Sequence, residues 1–227
     1  MKRIGILVAV EIDTVLAKYK EDLRQETAGG FDVYMLARPD CEMYFVHSGA
    51  GQIKAAAAVQ LLCSVYKIDL LINFGVVGAL TGALGIAETC FVSRVVHYEM
   101  DTSAVDGCEV GRHLEYPDVY LPATARILEK VTEMYPAIPV VTAASGDKFV
   151  ADAARKRELH EQFAADICDM ESAAVVLITD LNNVPNLLIK SISDSITGGA
   201  EEYCSRAREA ADVCMQIVEA VIRDGVI

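Results

Sequence analysis

The chain has 227 residues, 53% of them hydrophobic, and a formal net charge of −13. That is enough apolar material for one large core, so a single domain over residues 1–227 is the expectation. The acidic excess, with no lysine or arginine run, repels a phosphate-rich polymer and argues against nucleic acid as partner. The seven cysteines are scattered and never spaced as C-x-x-C, which suggests neither a disulfide framework nor a zinc site. Met1-Lys2-Arg3 precedes an apolar run that Glu11 and Asp13 end too early for a signal segment or a membrane span, so a cytoplasmic protein is expected.

In chain order, residues 4–10 read as a strand apolar on both faces, the mark of a central strand covered by helices on both sides. At its end, Glu11 and Asp13 are either a charge pair for a helix N-terminus or a base facing a cavity. Strands over 33–37 and 44–48 follow, and Ser48-Gly49-Ala50-Gly51-Gln52 opens a helix over 53–66. This glycine turn is either a tight connection or a backbone cradle for an anion or a sugar oxygen. It is not a dinucleotide fingerprint, because Ala55 stands near the place of the third glycine and Asp69 opens a strand. The strand over 70–74 runs into the small-residue turn that contains Val76 and Gly78, at the edge where open α/β sheets bind ligands.

A strand over 89–96 leads to an irregular stretch over 100–122, then a helix over 123–134 and a strand over 140–144. Phe149 and Val150 lie just beyond that strand, where the ring is available either to the core or to a stacked base. After a helix over 153–163 and a strand over 167–170, Asp169-Met170-Glu171-Ser172 begins a helix over 171–182. Glu171 there either favours the helix dipole or accepts hydrogen bonds from vicinal hydroxyls. The apolar strand over 187–193 ends in Ser193-Asp194, an acid that either turns the chain or, in a dry pocket, protonates a leaving group. A helix over 201–223 with an apolar stripe closes the chain. Alternating strands and helices of this kind predict a three-layer α/β/α fold around a central mixed, mostly parallel twisted sheet. No G-x-S-x-G elbow occurs and the four histidines show no metal spacing, which removes acyl transfer and metal-assisted hydrolysis.

Seven pieces in this order and spacing carry a resemblance: residues 4–11, 48–51, 75–78, 98–104, 145–147, 169–171 and 192–194. The chain resembles the purine nucleoside phosphorylase/nucleosidase superfamily, most closely its methylthioadenosine/S-adenosylhomocysteine nucleosidase branch. The resemblance implies a nucleoside phosphorylase-like fold and hydrolysis of the N-glycosidic bond of a purine nucleoside, 5′-methylthioadenosine or S-adenosylhomocysteine, without cofactor or metal. It implies that Asp194 protonates purine N7 with Ser193 fixing it, that Glu171 holds the ribose hydroxyls, and that Met170 packs beneath the sugar. Phe149 would stack on the base, Val150 would meet its edge, Gly78 would line the base pocket, and a homodimer would form. The water-activating carboxylate aligns on Asp13, one methylene shorter than the family's usual Glu, with Glu11 the alternative. Phosphorolysis would require an arginine cradle for which Arg94 is the one unplaced candidate, and a non-catalytic nucleoside-binding protein is the reading from another class.

Overall fold

The structure, a computed structural model, describes residues 1–225. Strand β1 (Lys2–Val8) buries Ile4, Ile6, Leu7 and Val8 almost completely, as a strand covered on both faces must. After it come α1 (Ile12–Tyr19), β2 (Arg24–Ala28), β3 (Phe31–Ala37), β4 (Cys41–His47), α2 (Gln52–Leu61) and β5 (Leu70–Ala79). The middle of the chain contributes β6 (Thr89–His97), α3 (Ser103–Asp106), β7 (Tyr120–Pro122), α4 (Ala125–Met134), β8 (Val140–Ser145) and α5 (Ala153–Phe163). The last elements are β9 (Ile167–Asp169), α6 (Ser172–Leu181), β10 (Asn186–Asp194) and α7 (Gly199–Arg223).

The sheet runs β2-β3-β4-β1-β5-β9-β8-β6-β10, and β10 returns to pair with β5, so five strands close on themselves. The ladders β1–β4, β1–β5, β5–β10 and β6–β8 are parallel. Antiparallel pairing is confined to the β2-β3-β4 flank, to the β10–β6 and β5–β9 contacts and to the added β7. This is the mixed, mostly parallel three-layer sheet that the sequence predicts. Strand residues alternate between faces with period two: Leu7 and Leu71 pack under α2 and α6, whereas Ile6, Val8 and Ile72 pack under α1, α4 and α7.

Four elements escape the sequence reading. Helix α1 is only eight residues long, and its stripe is the spacing Ile12, Val15, Tyr19. Strand β2 is almost wholly exposed, but Gly29 and Gly30 both take positive φ in the two-residue turn into β3, a local hairpin signal. The single-turn α3 and the three-residue β7 both lie in the stretch expected to be irregular. The predicted helix over 53–66 is α2 followed by a π-helical turn, Leu62–Tyr66.

Candidate active site

A cavity opens at the carboxyl ends of β1, β5 and β10, the edge where open α/β sheets bind ligands. Gly78, Phe149, Val150, Met170, Glu171, Ser193 and Asp194 all line it, together with Glu11, Val76, Cys168 and Tyr203. The order of the parallel strands brings these residues together, since segments far apart in the chain finish on one rim.

Asp13 is the exception. It is exposed in the first turn of α1 and does not line the cavity. Residues two apart share a face only on extended chain; here the helix begins at Ile12, and two helical steps rotate a side chain by about 200°. The carboxylate on the cavity wall is Glu11. It is 8% exposed and accepts hydrogen bonds from the Val76 N–H through Oε1 at 2.8 Å and from the Val10 N–H through Oε2 at 3.0 Å. Gly75 leaves it room, since a Cβ there would stand 3.0 Å from Oε1.

Glu171 precedes α6 but makes no cap to that helix. Its Oε1 instead accepts from the Gly51 N–H at 2.9 Å, across the layer at the start of α2. The amides of α6 find other partners: Ser172 N–H donates to Asp169 Oδ1, Ala173 N–H to Ser145 Oγ at 3.1 Å, and Ala174 N–H to Gln52 Oε1 at 2.7 Å. Glu171 is therefore not needed as the cap of its own helix. Burial, then the neighbouring Asp169, pushes its carboxyl up to about 7.

Two lysines that the sequence reading passed over anchor the acids. Lys190, inside β10, lies 2.8 Å from Asp169 Oδ2, both wholly buried. Burial works against that ammonium, but Asp169 and Glu171 outweigh it and raise the lysine; Asp169 is held low by the same pair despite its burial. Lys156, on α5, lies 2.5 Å from Asp194 Oδ2. The signal for each was a lysine at an apolar position: Lys156 shares a stripe with Leu159 and Phe163, and Lys190 interrupts the run Leu187-Leu188-Ile189.

At the other end of the cavity, Ser193 Oγ donates to Asp194 Oδ1 at 2.9 Å, next to a register shift where β10 pairs with β5. A Cβ on Gly78 would meet Asp194 Oδ2 at 3.0 Å and Cys168 Sγ at 3.1 Å, so the backbone must stay bare there. Burial pushes the Cys168 thiol up to about 12, so it stays neutral. Phe149, 41% exposed, stands edge-on to Tyr203 at 5.3 Å over the mouth. Among the described residues no arginine lines the cavity, and Arg94 is engaged elsewhere, bonded to Thr142 Oγ1 at 3.0 Å and stacked over Tyr120. Among the described residues no group of three or more His, Cys, Asp or Glu side chains is arranged to hold a metal ion, and no helix is long and apolar enough to cross a membrane.

The chain belongs to the phosphorylase superfamily, whose family profile matches residues 3–223. Within it, the chain is similar to the 5′-methylthioadenosine/S-adenosylhomocysteine nucleosidase of Maridesulfovibrio salexigens, 30% identical over 234 residues that cover 98% of this chain and 99% of the relative. Among solved structures, a futalosine hydrolase mutant of Helicobacter pylori superposes with a TM-score of 0.92 at 21% identity, covering 99% of this chain and all of that one. The methylthioadenosine/S-adenosylhomocysteine nucleosidase of Helicobacter pylori with butyl-thio-DADMe-Immucillin-A gives 0.91 at 21% identity, covering 99% of both chains. These structural likenesses establish the α/β/α nucleoside phosphorylase-like fold.

Proposed function

We propose that the chain hydrolyses the N-glycosidic bond of a purine nucleoside, 5′-methylthioadenosine or S-adenosylhomocysteine, and releases adenine. The observation that carries this reading is a cavity lined by three buried acids, Glu11, Glu171 and Asp194. Glu11 packs at Gly75 and Asp194 at Gly78, three residues apart on β5. That is about 10 Å of strand, room for a ribose and a water. Asp194, fixed by Ser193, protonates N7 as the C1′–N9 bond breaks and its electron pair passes into the purine. Water attacks C1′ and gives its proton to Glu11, which takes the role expected of Asp13. Glu171 accepts from the ribose hydroxyls, Met170 packs under the sugar, Phe149 stacks on the base, and Val150 and Gly78 frame the base edge.

The names of the similar nucleosidases support this substrate class. The absence of arginine from the cavity wall favours water over phosphate as acceptor. The chain acts as a cytoplasmic homodimer, and the exposed Ile53, Val105 and Leu181 side chains are the kind of surface such pairing would cover. The test is adenine release from methylthioadenosine by the purified protein, with and without phosphate. Phosphate-independent release, lost on the order of 10²-fold or more in Asp194→Asn, is expected. Release that requires phosphate, or an Asp194→Asn variant within a few-fold of wild type, would refute it.

A further inference from the structure

Lys156 is a charged side chain with no exposure at all, on a helix whose other buried residues are Leu159 and Phe163. Burying an ammonium is costly, and its contacts show what offsets the cost. Its Nζ donates to Asp194 Oδ2 at 2.5 Å and to the Ser195 carbonyl oxygen at 2.7 Å. Asp194 lines the cavity and Lys156 does not, so the cation stands behind the acid, on the side away from a bound base. With Ser193 Oγ on Oδ1, both oxygens of Asp194 are held before any ligand arrives. The neighbouring Cys168 thiol, pushed by burial to about 12, contributes no competing charge.

We infer that Lys156 is a positioning residue for departure of the base, its ammonium acting through Asp194 on the negative charge that the purine gathers. The inference rests on the nucleosidase reading above. In the free site the contact is an ion pair. When Asp194 carries the proton it delivers, the ammonium faces a neutral carboxyl; as the C1′–N9 electron pair moves into the purine and that proton passes to N7, the carboxylate re-forms and the ion pair with it. An interaction stronger in the transition state than in the ground state raises kcat and leaves substrate binding nearly unchanged.

A leaving group that needs no proton separates this role from a structural one. Wild type, Lys156→Gln and Lys156→Met are compared on methylthioadenosine and on 4-nitrophenyl 5-methylthioriboside, whose nitrophenolate departs unprotonated. Gln keeps an N–H donor for both acceptors and guards against loss of the fold. On methylthioadenosine, Lys156→Gln should lose on the order of 10²-fold in kcat with KM within about threefold. On the nitrophenyl riboside it should lose no more than about fivefold, as should Asp194→Asn. Equal losses on both substrates would reduce Lys156 to a structural part and overturn the inference. So would a folded Lys156→Gln that matches wild type on methylthioadenosine, whether or not Lys156→Met folds. Failure of the wild type itself to release adenine would refute the nucleosidase reading instead, and that result is seen before any variant is compared.

Discussion

Replacing Glu171 by Gln should make the protein's stability less sensitive to pH, because the carboxyl sits where its charge is penalised. Glu171 is 8% exposed, and burial followed by Asp169 raises it from an ordinary 4.5 to about 7. At 1.36 kcal/mol per pH unit, that difference amounts to about 3 kcal/mol. The sign follows from the raised value: the folded state binds the proton more tightly, so its contribution is whole below about 4.5 and is lost as pH rises to about 7. Gln has no proton to lose, and its Oε1 still accepts from the Gly51 N–H. The stability of Glu171→Gln relative to wild type should therefore climb by up to about 3 kcal/mol between pH 4.5 and 7 and stay flat above. Urea denaturation midpoints taken at half-unit intervals from pH 4.5 to 8 measure the difference directly. Two curves that run parallel across this window would mean that burial and Asp169 do not penalise the Glu171 charge, and the electrostatic account of the cavity would fall with it.

Glu11→Gln should lower kcat for adenine release on the order of 10²-fold, whereas the exposed Asp13→Asn should stay within a few-fold; steady-state kinetics on both decides which carboxylate meets the water. Lys190→Met should destabilise the fold by about 3–5 kcal/mol in chemical denaturation, since it leaves Asp169 buried without its partner. Gly78→Ala should cost at least about tenfold in kcat/KM and about 1–3 kcal/mol in stability, because its Cβ arrives 3.0 Å from Asp194 Oδ2 and 3.1 Å from Cys168 Sγ in a filled corner.

What was legible in the sequence followed from local contrast. Asp169-Met170-Glu171 and Ser193-Asp194 stand out as polar groups at the ends of apolar runs, and the structure carries both to the cavity. Asp13 illustrates where such reasoning stops: whether it or Glu11 faces inward depends on where the chain changes from strand to helix. Motif alignment does not report that one-residue boundary. Lys156 and Lys190 were hidden for another reason. A lysine in a strand or on a helix reads as a solvated charge until its partner is known, and the partner of Lys156 lies 38 residues further along the chain. The closure of β10 onto β5 is likewise a long-range fact, since nothing within either strand announces its neighbour.

The two buried ion pairs, Lys156–Asp194 and Lys190–Asp169, constrain how this site can change over generations. Replacing any one of the four side chains by a neutral residue strands its counterpart without water or opposite charge, so each single step leads downhill. A paired exchange for apolar groups of similar volume carries no such penalty at the level of folding. All four sites are thus locked in two couples, one couple holding the cavity acid and the other the base of α6. Drift toward a different leaving group or sugar has its open single-step routes at Val76, Phe149 and Tyr203, which line the same cavity and carry no buried charge.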